Sequence, residues 1–461
     1  MTGRLRWWNL ERLRLLVSFF AFGLLFGNAH AASRKQRTVV VISLDGFPAY
    51  ALADPRLPIP TLRKLAREGA AATAMQPINP TVTWPNHTTL VTGVDASQHH
   101  VLFNGLLTRS PDGSMSIEPW RNKELLVHAR TVYDAAFEAG FTTAQVDWVA
   151  IYGAKTITWS FPEQPDPKGL IEGELVSAGL VTRDQLADFD NSSPAWQDEI
   201  RTDAAIDILK RYKPNLLLLH LLDLDDINHQ YGPMGNASLE AMAFLDDRVK
   251  QVVDTLRSSQ RPFTILVVSD HGFRKTMHTI YPNAILEKAG FERKENSKPA
   301  WDAWVVPDGG TAMVYMRDLS RRAELAPKLS ALFTGVDGIE HVYRREDLAG
   351  LGLPSPEQSD QAPDLLLAAK PGYSFASGSP GGESGASHAG THGYLNSDAE
   401  MQAIFLAWGN GIRRGVRLDH ISNLDVAPTI AALLGIEMTN VTGHPLREIM
   451  SDPPPVSSPS H

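Results

Sequence analysis

Short apolar runs without polar alternation constrain the fold of this chain more than any other feature. Thr38–Leu44 is a β-branched run, and Leu216–Leu219, Phe263–Val268 and Ala403–Ala407 have the same apolar character. A strand that is apolar on both faces has to be covered on both faces, as central strands of parallel sheets are. Helix-like segments separate these runs, so the sequence predicts an α/β fold whose mainly parallel sheet carries helices on both faces. Those segments are Ile59–Gly69, Val132–Gly140, Asp203–Tyr212 and Ser238–Ser258.

Carboxylate and imidazole side chains follow three of these runs. Asp45 follows the first run, Asp225 comes after the second, and Asp270 and His271 come shortly after the third. Because the carboxyl ends of parallel strands meet at one edge of a sheet, we expect these side chains to converge there. His229 lies four residues after Asp225, a spacing that puts both side chains on one face of a helical turn.

His392 completes a set of three carboxylates and three imidazoles, which are the ligands that two Zn²⁺-class ions require. It follows a Gly/Ser-rich segment, Ser377–Ser387, and His388 competes with it as a candidate ligand. Ordinary structural alternatives stay open for the single residues. Asp45 is equally compatible with a simple turn, and Asp225 with the cap of a helix.

Thr83 lies in the segment Thr81-Val82-Thr83-Trp84-Pro85-Asn86-His87 and offers a hydroxyl that a metal can ionise. Pro85 disfavours a helical conformation at Trp84, which predicts a junction there between extended chain and helix. A helix beginning near Pro85 would point backbone N–H groups at an anion. The alternative is that Thr83 only caps this helix.

The composition narrows the function classes. The chain has no cysteine, which excludes disulfides, thiolate metal sites and a cysteine nucleophile. Its formal net charge of −9 argues against a scaffold that binds nucleic acid by counterion release. An acidic body still accommodates a small anionic substrate, because bound divalent cations reverse the local field.

The two ends of the chain have distinctive sequences. A basic start is followed by the apolar run Leu15–Phe26 and by Ala29-His30-Ala31, the small-x-small form of a signal-peptidase site. Residues 1–31 are therefore predicted to be a signal peptide, with a retained N-terminal anchor as the alternative. We expect an exported protein, periplasmic or secreted, with membrane contact only if this segment is retained. The Pro/Ser-rich tail 452–461 is predicted to be disordered.

Taken together and in order, these motifs resemble the nucleotide pyrophosphatase/phosphodiesterase family of the alkaline phosphatase superfamily. The similarity runs in patches from about Arg37 to Gly435. The resemblance implies an alkaline-phosphatase-like domain over 37–450, with a smaller inserted α/β lobe at about 276–375. The matching segments are Asp45-Gly46, Thr83-Trp84-Pro85-Asn86-His87, Asn104, Asp225–His229 with Tyr231-Gly232-Pro233, Ser269-Asp270-His271-Gly272, His392-Gly393-Tyr394 and Asp425-Val426-Ala427-Pro428-Thr429.

The resemblance also divides the ligands between two Zn²⁺ ions, although other divalent ions are possible. One ion would be held by Asp225, His229 and His392. The other ion would be held by Asp45, Asp270 and His271, together with the Thr83 oxygen.

By the same resemblance, Thr83 would attack phosphorus and form a phosphothreonine intermediate. Two ions roughly 4 Å apart can stabilise the attacking and leaving oxygens of such an in-line displacement. Asn104 matches the residue that donates its amide to a non-bridging phosphoryl oxygen. Its structural alternative is an ordinary turn asparagine.

Two residues depart from the family pattern on the substrate side. His220 stands where nucleotide-selective members usually carry an aromatic residue, five positions before Asp225. Trp84 replaces the phenylalanine that follows the nucleophile and is predicted to stack on the substrate equally well. These departures leave the expected chemistry intact and put nucleotide specificity in doubt.

The expected function is hydrolysis of a phosphate diester or pyrophosphate bond in a small phosphorylated substrate. The first alternative is a phosphomonoesterase or phosphonate hydrolase on the same site, in which Arg274 or Lys275 would neutralise the extra charge. The second alternative is a metal- or anion-binding protein without turnover. The sequence does not predict an oligomeric state.

Overall fold

A computed structural model describes residues 36–295, 298–378, 382–387 and 389–451. The predicted signal peptide at 1–31 and the predicted disordered tail at 452–461 lie outside the described residues, as does His388. None of the helices in the described part of the chain is both long enough and apolar enough to cross a membrane.

The strands are β1 (Thr38–Leu44), β2 (Ala70–Gln76), β3 (Leu106–Arg109), β4 (Met115–Glu118), β5 (Thr143–Val146), β6 (Trp159–Phe161), β7 (Leu216–Leu221), β8 (Phe263–Val268), β9 (Arg274–Lys275), β10 (His278–Ile280), β11 (Glu292–Glu295), β12 (Lys298–Trp301), β13 (Ala303–Asp308), β14 (Thr311–Met316), β15 (Ile339–Arg344), β16 (Leu365–Ala369), β17 (Tyr373–Phe375), β18 (Ser384–Ala386), β19 (Gly390–Thr391), β20 (Phe405–Gly409) and β21 (Val416–Ser422).

The α-helices are α1 (Ala49–Leu52), α2 (Pro60–Glu68), α3 (Thr83–Thr92), α4 (Ala96–His99), α5 (Lys123–Leu126), α6 (Val132–Glu138), α7 (Leu170–Ser177), α8 (Arg183–Ala187), α9 (Pro194–Arg211), α10 (Asp223–Tyr231), α11 (Asn236–Ser258), α12 (Pro282–Lys288), α13 (Arg322–Thr334) and α14 (Val426–Leu434). Short 3₁₀ helices lie at Phe189–Asn191, Leu319–Arg321, Arg345–Leu351, Ala399–Met401, Asn423–Asp425 and Arg447–Ile449.

The main sheet has eight strands in the order β21-β2-β20-β8-β1-β7-β5-β6. Strand β1 lies between β7 and β8 and is parallel to both. Within this sheet β20 runs against its neighbours β8 and β2, while the other pairings are parallel. The predicted mainly parallel α/β sheet is therefore confirmed.

The apolar run of β1 is buried on both of its faces, as its sequence predicted. Val40, Ile42 and Leu44 belong to one hydrophobic cluster, which helices α2, α9 and α11 cover. Val39 and Val41 belong to the cluster on the opposite face, against α6 and α14. Because alternate residues of a strand point to opposite faces, a run without alternation requires both layers.

The lobe inserted between β8 and β20 is a smaller α/β unit, as predicted. Its antiparallel sheet has the order β13-β14-β16-β15, and helices α12 and α13 pack on one face. The other face meets the main body through Met313 and Tyr315, which cluster with Phe103 and Leu107. These elements fall inside the predicted 276–375 segment, whose bounds stay a prediction.

Several element boundaries differ from the sequence prediction. The fourth apolar run forms β20 at Phe405–Gly409 rather than at Ala403–Ala407, because Ala403 instead bridges to Pro48 and Met75. The helix expected at Asp203 begins at Pro194, where Ser193 caps it. The polar segment 152–196 contains β6, which forms the edge strand of the main sheet.

Leu219→Ala tests the double coverage of the central strands. Leu219 of β7 is fully buried, so we expect the free energy of unfolding to fall by about 2–5 kcal/mol. Urea denaturation of the protein in EDTA measures this change without a contribution from metal. Leu170→Ala is the control, because Leu170 is 61% exposed and its truncation is expected to cost under about 0.5 kcal/mol. Equal losses in the two variants would contradict the assigned core.

Candidate functional site

The first group of metal-type side chains lies at the carboxyl ends of β1 and β8. Asp45 directly follows β1, and Asp270 and His271 follow β8. One ligand atom from each of the three residues lies within 4.8 Å of the other two. His271 Nε2 is 3.1 Å from Asp270 Oδ2 and 3.5 Å from Asp45 Oδ1. The parallel pairing of β1 and β8 therefore brings these three side chains together, as strand order predicts.

The second group lies beside the first, around helix α10. His229 Nε2 lies 3.4 Å from Asp225 Oδ2, one helical turn away, and 42% of the His229 side chain is exposed. His392 Nε2 is 3.9 Å from Asp225 Oδ1. The His392 ring stacks on the His271 ring at a centroid distance of 3.8 Å. Asp225, His271 and His392 each place a ligand atom within 4.8 Å of the other two. The sequence prediction instead grouped Asp225 and His392 with His229.

The histidines of both groups share one orientation. Nδ1–H donates to a backbone carbonyl in each: His229 to Gly390, His271 to Gly272 and His392 to Thr81, at 3.3, 3.1 and 3.0 Å. That bond fixes the neutral ring in the tautomer whose Nε2 carries the lone pair. Metal-binding histidines show the same arrangement in their supporting hydrogen bonds.

Buried atoms without hydrogen bonds face the space between the two groups. Within the described part of the chain, Asp45 Oδ1, Asp225 Oδ1, Asp270 Oδ2 and His271 Nε2 are buried and lack a hydrogen-bond partner. Buried carboxylates without partners are costly, and cations would satisfy all four atoms at once. Three carboxylates, three imidazoles and no thiolate thus fit two Zn²⁺-class ions.

The pKa shifts of the candidate ligands also indicate a cation site. Burial and the charge of Asp225 raise the pKa of Asp45 to about 6, while the hydrogen bond from His220 opposes that rise. Burial and the charge of Asp45 hold the pKa of Asp270 well above its usual range. Burial lowers the pKa of His392 to about 4. Without a cation, Asp45 and Asp270 resist ionisation and His392 resists protonation. A bound divalent cation would stabilise the ionised carboxylates and bind the neutral imidazole.

Gly46 allows the two groups of metal-type side chains to lie close to each other. Its φ is +64°, and a Cβ placed there would lie 3.0 Å from Asp225 Oδ1 and 3.1 Å from the Phe273 ring. Its N–H donates to Asp270 Oδ1 at 3.2 Å. The turn after β1 therefore needs a residue with no side chain, both for its left-handed backbone and for the close approach of Asp225.

Thr83 is the first residue of α3, where the chain turns from extended structure into helix. The next N–H, from Trp84, donates to Asn104 Oδ1 at 3.0 Å. Since the Asn104 carbonyl oxygen accepts that bond, its amide nitrogen keeps donors for another group. Asn104 is exposed, so those donors remain accessible beside the start of the helix.

His87 is a site residue that has no role predicted from the sequence. It is fully buried, its Nδ1–H donates to the Thr83 carbonyl at 2.9 Å, and Nδ1 lies 3.5 Å from Asp270 Oδ2. The signal was present in the sequence, because His87 lies four residues after Thr83 and shares its face of the helix.

The structure does not fit the substrate contacts predicted for Trp84 and His220. Trp84 is 3% exposed and packs in a small apolar cluster with Val101 and Leu126, so its ring offers no open face for stacking. His220 is fully buried within β7, and its Nε2 lies 2.9 Å from Asp45 Oδ2. These rings fill interior space that sequence position alone does not reveal.

The fold and the site together define a class of protein. This is an α/β protein that gathers carboxylates and imidazoles at one sheet edge, beside a hydroxyl at a helix start. The chain belongs to the type I phosphodiesterase/nucleotide pyrophosphatase family, whose model matches residues 39–395. The predicted membership of this family of phosphodiesterases and nucleotide pyrophosphatases is therefore confirmed.

The chain is similar to human and venom proteins of this family. It is 24% identical to human ectonucleotide pyrophosphatase/phosphodiesterase family member 1 over 441 residues, covering 92% of this chain and 42% of that protein. It is 23% identical to human family member 5 over 448 residues, covering 92% of this chain and 79% of that protein. The venom phosphodiesterase of Naja atra is 22% identical over 446 residues, with 91% and 47% covered. The chain thus spans less than half of two of these relatives.

Solved structures share the fold. Human ectonucleotide pyrophosphatase/phosphodiesterase 5 superposes with a TM-score of 0.70 at 19% identity, covering 90% of this chain and 100% of that one. An inactive form of the murine protein, in complex with AMP, gives the same TM-score, identity and coverage. These likenesses confirm the alkaline-phosphatase-like architecture.

Gly46→Ala tests the close approach of the two groups. The added methyl group would meet Asp225 and strain the left-handed backbone, so we expect metal affinity to fall on the order of 10-fold. Chelator competition with a chromogenic zinc indicator measures the affinity. Gly173→Ala in α7 is the control, since a Cβ there meets nothing within 4 Å and should leave metal binding unchanged. An unaltered affinity for Gly46→Ala would contradict the proposed packing.

Proposed function

We propose that the chain is an exported two-metal hydrolase that cleaves phosphate diester or pyrophosphate bonds through Thr83. The observation that carries the proposal is the meeting of two carboxylate–imidazole groups at one sheet edge, with buried oxygens that lack partners. The structure of a relative in complex with AMP supports a small phosphorylated substrate. Export rests on the N-terminal sequence and agrees with the names of the ecto-type and venom relatives.

In this proposal Asp225, His229 and His392 hold one ion, and Asp45, Asp270, His271 and the Thr83 oxygen hold the other. Zinc fits this set best, because imidazole and carboxylate ligands suit it and His Nε2 atoms are already oriented. When bound, such ions lower the pKa of a hydroxyl and stabilise charge on the attacking and leaving oxygens.

The residues of the chain then divide the reaction between them. The Thr83 hydroxyl gives its proton to water as its oxygen attacks phosphorus in line with the leaving group, and the bond from phosphorus to the leaving oxygen breaks. The leaving oxygen takes a proton from water, and a phosphothreonine remains on the chain. Asn104 donates its amide N–H to a non-bridging oxygen in both steps. Water then attacks phosphorus, and the Thr83 oxygen departs and regains its proton.

The ion pairs of Arg274 favour a diester substrate over a monoester. Arg274 is one of the two residues predicted from the sequence to neutralise the extra charge of a phosphate monoester. Its guanidinium instead makes two bonds of 2.9 Å to Asp398 and lies 3.0 Å from Glu400. A cation engaged by two carboxylates has little charge left for the second negative charge of a monoester.

Parallel assays with bis-p-nitrophenyl phosphate and p-nitrophenyl phosphate test the reaction class. We expect a higher kcat/KM for the diester, and we expect Thr83→Ala to lower kcat by about 10³-fold or more because the nucleophile is gone. Thr83→Ser keeps a hydroxyl at the same place and is the matched control, with activity retained in part. A higher kcat/KM for the monoester would identify a phosphomonoesterase. Absence of turnover in the wild type and in every variant would identify a binding protein.

Elemental analysis tests the metal assignment separately from turnover. We expect two zinc ions per chain in the wild type and a loss of about one in His392→Ala, which removes a ligand from a three-ligand site. His420→Ala is the control, because the His420 side chain is 64% exposed on β21. A wild-type stoichiometry of one or zero would rule out the two-metal proposal.

A further inference from the structure

A buried arginine lies behind the candidate metal centre, outside both ligand groups. Arg201 is on α9, and 3% of its side chain is exposed. Its Nη1 donates to Asp198 Oδ1 at 2.9 Å, and its Nε lies 3.2 Å from Asp147 Oδ2. Both carboxylates are fully buried, so one guanidinium compensates two buried negative charges.

One arm of this network leads to α10. The Asp198 carboxylate accepts the N–H of Leu222 at 2.9 and 3.1 Å and the N–H of Asp223 at 2.8 Å. These are the first free N–H groups of the helix that carries Asp225 and His229. The position and axis of that helix therefore depend on a carboxylate that Arg201 holds in place.

The other arm leads to Asp45. The His220 ring bridges Asp147 and Asp45: its Nδ1 lies 3.1 Å from the Asp147 main-chain oxygen, and its Nε2 lies 2.9 Å from Asp45 Oδ2. With an oxygen acceptor at each nitrogen, the ring fixes the Asp45 carboxylate and leaves Oδ1 as its free ligand atom. Asp147 has a φ of +58°, a strained conformation for a residue with a side chain, which the ion pair with Arg201 helps to maintain.

We propose that Arg201 is a positioning residue that sets both halves of the metal centre, through Asp198 on α10 and through Asp147 and His220 on Asp45. The inference rests on the proposed two-metal function and goes beyond it, because Arg201 touches neither the ligands nor the reacting atoms. A positioning role gives this buried ion network a function, since buried ion pairs in general add little stability over well-packed apolar residues. Mutation of a group that orients a metal ligand usually lowers metal affinity or activity by about 10- to 100-fold.

The test compares Arg201→Gln with Arg211→Gln, a matched variant on the same helix. Arg211 forms its ion pair with Asp207 and is 50% exposed, so its loss should change metal affinity less than about 2-fold. We expect Arg201→Gln to weaken zinc affinity by about 10- to 100-fold in chelator competition. With bis-p-nitrophenyl phosphate at saturating zinc, kcat should fall more than KM rises, because geometry at the reacting centre is lost.

Further variants separate positioning from simple stability. Arg201→Lys keeps the charge, and the double variant Arg201→Gln with Asp147→Asn removes one charge of each sign. Either variant keeps the test available if Arg201→Gln does not fold. We expect Arg201→Lys to recover part of the affinity and the double variant to recover none. Asp198→Ala and Asp147→Ala should each weaken one of the two zinc-binding steps, since each interrupts one arm.

Two results would overturn the inference. One is an Arg201 variant whose melting temperature falls in EDTA while its zinc affinity and kcat match the wild type, which is the behaviour of a purely structural ion pair. The other is an Arg211→Gln variant with the same loss of affinity as Arg201→Gln. If the wild type itself binds no zinc, the proposed function fails, and that result differs from either of these.

Discussion

Mutual repulsion among buried carboxylates is the constraint on which the rest of this structure depends. Asp45 and Asp270 are buried and meet the partly buried Asp225 at one edge of the main sheet. Carboxylates held this close in a low-dielectric interior are tolerated only with cations or hydrogen-bond donors nearby. The apolar strands supply the rigid frame, and the supporting network supplies donors to the outer oxygens. The inner oxygens, which lack partners, are then left for metal.

The supporting donors come mainly from the backbone and from residues behind the ligands. Three imidazoles donate Nδ1–H to carbonyl groups, and Gly46 donates its N–H to Asp270. On the far side, Asp198 fixes the start of α10 while His220 fixes Asp45. Ligand geometry in this fold is thus set at a distance, by groups that hold main chain and carboxylates rather than by the ligands alone.

The sequence predicted the strands of the main sheet better than the residues that surround the metal ligands. Thr38–Leu44 matched β1 from end to end, because a run that is apolar on both faces has one stable placement in such a sheet. The order of Asp and His residues after those runs likewise predicted which side chains the structure brings together. His220 was misjudged because a histidine at the end of an apolar strand gives no sign of its buried partners. Asp147 and Arg201 lie far apart in the chain, so no local spacing could reveal their ion pair.

The inserted lobe helps to place the site, although none of its described residues belongs to either ligand group. It separates His271 from His392 in the sequence, yet their rings stack at 3.8 Å. The hairpin between β13 and β14 holds the His392 loop in place, because the Gly310 N–H donates to the His392 carbonyl at 2.9 Å. A Cβ on Gly393 would lie 1.9 Å from the Asp308 oxygen, so the loop and the hairpin are in direct backbone contact. Because tertiary contact rather than chain proximity places His392, the lobe and the main sheet must dock for the second ligand group to form.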